Sequence, residues 1–458
     1  MKLFSSDLAV IKSGGQTLRL SHLFLPMFAE TSLKQLLSTV SVFILGRYSD
    51  NAVASVGVAS QVLNMLIMFF SVVASGAMVV ISQNLGAGNH RRAAHTAGLA
   101  IAIASVAGLV LGGVFSLSAP WAMRAMQLEE ALLPDAISFF RMAALTAAAQ
   151  GPLAAMSAIC NANGRPRISM LVALFMNAVN LAGSYIVIFR PFETPFHGTF
   201  GVAVARGVGE VAALALMVVL IRRAGILATF PGFGKEARNI GKDILRIGVP
   251  SGVESVSYNL SQVVATGVVA SLGAVAVATR IYVQNIIIFV FILGMALGQA
   301  TALMVGRLVG AGDFERAFRL NKQALRVTLV LNSSLALIMV LLRYPLMRLF
   351  TQNEEIIALG AGILCIDFFA EVARGVNHIE QNSLHAAGDV RFTMVLCVCA
   401  SWLISSFGSW LFGIALGWGL YGCWLAFVVD ETVRGSAMFL RWRSRKWESK
   451  ALVHTKSS

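Results

Sequence analysis

The chain has 458 residues, 57% of them hydrophobic and 13% charged, with a formal net charge of +14 and a mean hydropathy of +0.76. A soluble domain of this length has no use for so many apolar residues, and the composition is that of a polytopic membrane protein. The positive charge lies in the breaks between apolar runs, which argues for membrane orientation rather than nucleic-acid binding.

The opening "MKLFSSDLAVIKSGG" has no long apolar run and no small-residue cleavage site, so no cleaved signal peptide is expected. A spanning helix needs about 20 mainly apolar residues. Twelve spans are predicted, roughly at 20–45, 52–83, 94–118, 134–160, 168–190, 199–221, 245–270, 277–307, 324–342, 356–386, 393–414 and 419–440. They divide the chain into a cytoplasmic N-terminus (1–19), an N-lobe with spans 1–6 (20–221), a cytoplasmic linker (222–244), a C-lobe with spans 7–12 (245–440) and a basic cytoplasmic tail (441–458). The expected fold class is an all-α integral membrane protein with twelve transmembrane helices in two pseudo-twofold-related six-helix lobes.

The breaks alternate in charge. Basic ones carry Lys2, Lys12 and Arg19; Arg91 and Arg92; Arg165 and Arg167; the stretch 222–246; Arg316 through Arg326; Arg391; and the tail "RWRSRKWESK". The intervening ones are poor in Lys and Arg. The positive-inside rule then puts both termini in the cytoplasm, and a bacterial inner membrane is the expected location. The five cysteines fall in or beside apolar runs without a CxxC pair, so buried free thiols are expected.

The second half repeats the first. "LPMFAE" at 25–30 returns as "VPSGVE" at 249–254, and "GAGNHRRAA" at 86–94 as "GAGDFERAF" at 310–318. "MRAMQLEE" at 123–130 returns as "MRLFTQNEE" at 347–355, with one inserted residue, and "ANGRPRISM" at 162–170 as "AAGDVRFTM" at 386–394. One offset serves all four. Six spans per half keep both halves in the same orientation, a parallel repeat that binds substrate between its halves near the midplane.

Ionisable residues inside spans cost about 2.5–3.5 kcal/mol each on insertion scales and mark functional sites. In span 1, Glu30, Lys34, Ser38 and Ser41 share a helical face; in span 7, Glu254, Tyr258, Ser261 and Gln262 do so. Span 10 has the densest polar stripe, Asp367, Glu371, Arg374 and His378, and span 8 adds Arg280 and Gln284. Arg206–Glu210 and Asp430–Arg434 read as pairs that neutralise themselves near helix ends, where long cations snorkel. Glu254 has no basic neighbour one turn away. A carboxylate withdrawn from water holds its proton more tightly, and a nearby arginine releases it. Glu371 and Arg374 therefore suit a switchable pair. There is no GxxxxGK[ST] loop, the "GFGK" at 232–235 lacking its spacing and hydroxyl, and no HExxH or GxSxG motif. The histidines lack metal spacing.

Taken together, these segments resemble the multidrug and toxic compound extrusion (MATE) family. "LPMFAE" and "ILGRYSDNAVASVG", the paired "SQNLGAGNHRRA" and "VGRLVGAGDFERA", "GVPSGVES", and "EVARGVNHIEQNSLHAAGDVRF" at 371–392 carry the likeness over residues 16–440. The resemblance implies two six-helix lobes, a central cavity, and export of organic, often cationic, compounds in exchange for H⁺ or Na⁺. It implies an acidic residue in span 7 or nearby in the second lobe, which Glu254 and Glu371 satisfy. It also implies a span 1 aspartate at the position where this chain has Ser41. Either Glu30 takes that role or coupling lies in the second lobe, and the second lobe is favoured.

The expected function is thus an H⁺- or Na⁺-coupled antiporter of organic, cationic drugs or metabolites. No cofactor is expected beyond the coupling ion, and Na⁺, if used, is expected at Glu254 and Glu371. The expected partners are a small organic substrate and the bilayer, with no nucleic acid and a monomeric state. The alternative is a flippase or exporter of a lipid-linked or anionic metabolite, which Lys34, Arg280 and Arg374 would serve. A membrane-embedded enzyme is disfavoured, because no nucleophile–base set is present.

Overall fold

The computed structural model describes residues 10–13, 16–46, 49–126, 128–189 and 198–453. A short antiparallel hairpin comes first, β1 (Val10–Ser13) paired with β2 (Gln16–Arg19) in the register Val10↔Arg19. Almost everything after it is helical. That follows from the solvent, since a chain crossing hydrocarbon must satisfy its own backbone polar groups.

The helices are α1 (Leu20–Gly46), α2 (Asp50–Gly86), α3 (His90–Ala125), α4 (Leu133–Leu145), α5 (Ala147–Ala162), α6 (Pro166–Phe189) and α7 (Gly198–Arg223). They continue as α8 (Lys235–Ala270), α9 (Ala274–Gly310), α10 (Phe314–Leu341), the short α11 (Arg343–Arg348) and α12 (Glu354–Ala387). The last two are α13 (Val390–Ala415) and α14 (Gly419–Arg443). Within α13, Ser401–Ser406 and Leu411–Ala415 widen into π-helical turns.

Among the described residues, eight helices are each long and apolar enough to cross a bilayer, and α4 and α5, bent by 48°, make a ninth as one broken span. The remaining long helices α1, α8 and α14 complete twelve. These three carry Glu30 and Lys34, Glu254, and Asp430, Glu431 and Arg434, so their polarity is concentrated where the candidate chemistry lies. Helix α8 begins at Lys235, inside the stretch expected as linker, and α14 runs to Arg443, inside the expected tail.

The internal repeat is visible in detail. Asn89 caps α3 by accepting from Arg92 N, and Asp313 caps α10 by accepting from Arg316 N. A glycine precedes each cap in the left-handed region, Gly88 at φ 74° and Gly312 at φ 75°, where a Cβ is strained. The helix–turn–helix corner is thus encoded twice by the same residue types.

The chain divides into two compact units. One takes the chain through Phe28, Ser82–Gly88 and everything from Pro250; the other takes Ala29–Ile81 and Asn89–Val249. These bounds differ from the lobes expected at 20–221 and 245–440, because the start of α1 and the end of α2 pack with the C-terminal half. In the C-terminal unit, Leu20, Leu23, Phe24 and Met27 share a core with Leu297, Leu303, Met304, Leu320 and Leu384. Gly86 lies against the carbonyl of Arg307 and Gly310 against that of Gln83, a reciprocal crossing of repeat-related residues. The first residues of the expected basic tail pack there too. Trp447 is fully buried, stacked on Trp442 at 4.1 Å and edge-on to Phe314 at 5.9 Å. In the N-terminal unit, Phe139, Phe140, Met123 and Leu63 form one core layer, with Leu66 and Phe70 beside Ala147.

Candidate functional site

Two neighbouring helices of the C-terminal unit, α12 and α14, each carry acids and an arginine on one face. Packing them together makes a buried charge network. Arg374 pairs with Glu371 one turn away and reaches Glu431 on α14 at 3.2 Å. Arg434 reaches Asp430 at 2.6 Å and Glu431 at 3.1 Å. Asn377 Nδ2 donates to Glu431 Oε2 at 2.8 Å, and Trp424 Nε1 donates to Asp367 Oδ1 at 2.9 Å. All four carboxylates and Arg434 are buried. Three acids, Glu371, Asp430 and Glu431, therefore share two guanidinium groups, and Asp367 is held beside them by Trp424. Oxygens Glu371 Oε2 and Asp430 Oδ1 accept no hydrogen bond from the described residues.

A cavity of about 60 Å³ opens beside the network, lined by Tyr258, Gln262, Gln284, Asp367, Arg374 and Glu431 among others. Aromatic faces meet the cations: Arg434 lies 5.6 Å from the Tyr258 ring and Arg280 5.3 Å from Phe427. Arg280 also donates to Gln262 Oε1 at 3.1 Å. His378 packs edge-on to Phe291 at 5.1 Å, and its Nε2 is buried without a hydrogen bond.

Glu254 stands apart from this network. Its carboxylate accepts from Gln381 Nε2 and lies 3.3 Å from His385 Nε2, both on α12. His385 Nε2 is also 2.8 Å from Thr393 Oγ1. Among the described residues, no Lys or Arg pairs with it. Gln381 is ten residues beyond Glu371 on the same helix, about 15 Å along its axis. Glu254 and Glu371 therefore stand at separate stations along α12. The described residues hold no group of three His, Cys, Asp or Glu side chains suited to a metal.

The N-terminal unit has its own polar cavity, about 280 Å³, lined by Lys34, Gln150, Asn177, Asn180, Arg206 and Glu210 with apolar neighbours. Lys34 Nζ donates to Glu30 Oε1 at 2.6 Å, and Arg206 Nε to Glu210 Oε1 at 3.0 Å. Glu30 is buried while Lys34 is half exposed. The side chain of Ser41 lies outside the described residues.

The structure thus sorts the residues singled out in the sequence. Asp367, Glu371, Arg374, Tyr258 and Gln284 come together; Arg280 joins their edge; Glu254 forms a separate station; Glu30 and Lys34 belong to the other unit. Glu431 was the residue passed over. It lies beside the Asp430–Arg434 pair, which reads as self-neutralising, and it bridges Arg374 and Arg434. An unbalanced acid count on span 10 was the available signal. Glu380 was also missed: fully buried, it accepts from Asn321 Nδ2 at 3.2 Å, and its Oε1 accepts nothing.

Twelve spans, a duplicated helical design and buried polar clusters around cavities define a polytopic membrane transporter. The MatE family model matches residues 26–186 and 250–411, and the chain belongs to that family. "Uncharacterized transporter YisQ" of Bacillus subtilis is 35% identical over 446 residues, covering 97% of this chain and 98% of the relative. "Probable multidrug resistance protein NorM" of Thermotoga maritima is 24% identical, covering 95% and 94%. A solved outward-facing multidrug resistance MATE transporter of the MOP superfamily superposes with a TM-score of 0.87 at 18% identity, covering 97% of each chain. A Pyrococcus furiosus MOP transporter, described as having a binding pocket of reversed polarity, gives 0.85 at 18%, covering 93% and 95%. The fold expected from the sequence is therefore that of the family, and the chain is a transporter, not an enzyme.

Proposed function

We propose that the protein exports organic compounds, cationic ones foremost, by ion-coupled antiport from a bacterial cytoplasm, with both termini on the cytoplasmic side. The observation that carries this reading is the charge imbalance of the α12–α14 network. Three buried carboxylates share two arginines, and a fourth, Asp367, accepts from the Trp424 indole; protons or small cations would balance the excess negative charge, because uncompensated buried charge is very costly. Releasing those charges would favour a different packing of the same helices, which is what coupling requires. Glu254, reached by a neutral amide and a histidine, is the second place where a proton or Na⁺ would be held. The names of the NorM relatives support drug export.

In inside-out vesicles, an imposed H⁺ or Na⁺ gradient should drive uptake of an ethidium-type cation. Glu254→Gln should reduce the driven rate at least about tenfold with the protein still folded. Glu30→Gln should leave most of it, because Glu30 is already held by Lys34. Loss of transport in Glu30→Gln and none in Glu254→Gln would reverse the assignment. The second reading, export of an anionic or zwitterionic compound, draws on Lys34 and Arg206 at the cavity of the N-terminal unit. Uptake of an anionic dye but not ethidium in the same vesicles would favour it.

A further inference from the structure

The segment joining α7 to α8 has features that a simple connector does not need. Helix α7 ends at Arg222 and Arg223, and Gly225, at φ 64°, turns the chain back. The following residues run along α3. Thr229 N donates to Ala94 O at 3.1 Å. The backbone at Thr229–Phe230 lies so close to Gly98 that a Cβ there would collide with it. Gly98 is eight residues after His90, the first residue of α3, so the contact lies about 12 Å along that helix. From Ala97 the helix sequence, "AGLAIAIASVAGLVLGGVF", has no charged residue. The returning segment therefore sits where the spanning helix enters hydrocarbon.

Its side chains suit that depth. Leu227, Phe230 and Phe233 are exposed, Phe233 completely, and the two rings meet edge-on at 5.2 Å. Around them Arg222, Arg223, Lys235, Arg238, Lys242 and Arg246 are exposed, and none takes part in an ion pair among the described residues. The two acids of the stretch are already engaged. Glu236 bonds His95 at 2.7 Å, and Asp243 bonds Arg92 at 2.7 Å. The His95 hydrogen bond holds Glu236 below the usual carboxylate range, so it stays ionised and committed. On the inner side, Ile240, Ile244 and Ile247 are fully buried at helical spacing, which pins the start of α8 and leaves the cations on its outer side.

We propose that residues 222–246 form a surface that binds anionic phospholipid. Leu227, Phe230 and Phe233 enter the acyl boundary, and the unpaired cations hold the headgroups. Charge complementarity with an anionic leaflet and the position beside the apolar run of α3 from Ala97 select this occupant. The inference rests on α3 and α7 crossing the membrane and is independent of the coupling ion.

The test uses the full chain in nanodiscs of phosphatidylcholine and phosphatidylglycerol at about 3:1, with benzoylphenylalanine in place of Phe233. Irradiation and mass spectrometry should show lipid adducts, with phosphatidylglycerol enriched at least about threefold over its mole fraction. Arg222→Gln, Arg223→Gln, Lys235→Gln and Arg238→Gln combined should return the ratio to the mole fraction while lipid adducts persist. Lys322→Gln with Arg326→Gln, exposed cations of α10, should leave the enrichment unchanged. If the fourfold variant does not fold, raising salt to about 0.5 M on the otherwise native chain should abolish the enrichment by screening. Adducts to protein or solvent, or enrichment that survives both charge removal and salt, would overturn the proposal.

Discussion

Arg374 shows most directly what a single side chain does in this protein. It compensates Glu371 on its own helix and Glu431 on the next. Removing one partner of a buried ion pair costs about 3–5 kcal/mol, because the other charge is left unpaired. Arg374→Met should therefore lower thermal stability in detergent by that order. Glu371→Gln in the same chain should recover part of the loss, giving a favourable coupling in a double-mutant cycle. Strict additivity would mean that the two groups do not act as a pair. The Glu371–Arg374 pair was legible in the sequence, since three residues along a helix put them on one face. Its link to Glu431 was not, because that depends on which helix α12 packs against. Likewise Glu30–Lys34 was readable from spacing, whereas the Gln381 and His385 partners of Glu254 come from 127 and 131 residues further along the chain.

At the scale of elements, close crossings and the folded C-terminal segment decide stability. At Gly310 a Cβ would run into the backbone carbonyl of Gln83, which cannot rotate away. Gly310→Ala should cost about 1–3 kcal/mol, the usual price of overpacking. Gly113→Ala, which meets nothing within 4 Å, should stay within about 0.5 kcal/mol. Thermal unfolding of the two variants side by side checks this. Residues after α14 are tied by the Trp442–Trp447 stack, by Arg445 paired with Glu315, and by Leu452 N donating to Gln83 Oε1 at 2.9 Å. Gln83 Nε2 in turn donates to Ala386 O at 2.7 Å. Trp447→Ala, a loss of about 3–5 kcal/mol for a buried aromatic, should release the segment and strip hydrogen-exchange protection from the Leu452 amide. Its hydrogen bond to Arg445 holds Glu315 below the usual carboxylate value of 4.5. The contribution of that pair is present above the ordinary value and is lost as pH falls through the lowered one. Protection of the segment should therefore weaken on acidification, and Arg445→Gln should remove the acid-dependent part.

For the whole molecule, duplication and charge bias are the large-scale signals. The alternation of basic and neutral breaks proposes both termini inside the cell. Protease sites appended at either end should be shielded in spheroplasts and cleaved in inside-out vesicles; cleavage at one end only in spheroplasts would mean an odd number of spans. Among the described helices, eight, or nine with the broken pair, pass as spans by length and hydropathy; α1, α8 and α14 interrupt their apolar runs with charged and uncharged polar residues. The repeat supports α1 and α8, which carry matching proline-to-glutamate stretches at the one offset.

By itself the sequence determined that the chain is apolar enough to live in a bilayer, that it is a tandem of six-span halves, and which ionisable residues the membrane would have to accommodate. Those properties are local or periodic, and a linear pattern records them. Only the tertiary structure decided which charges share a partner, that the start of α1 and the end of α2 pack with the C-terminal half, and that residues 444–453 pack against α10 and α14. These depend on which helix faces meet across more than a hundred residues of chain, and side-chain spacing along one helix carries no information about its neighbour.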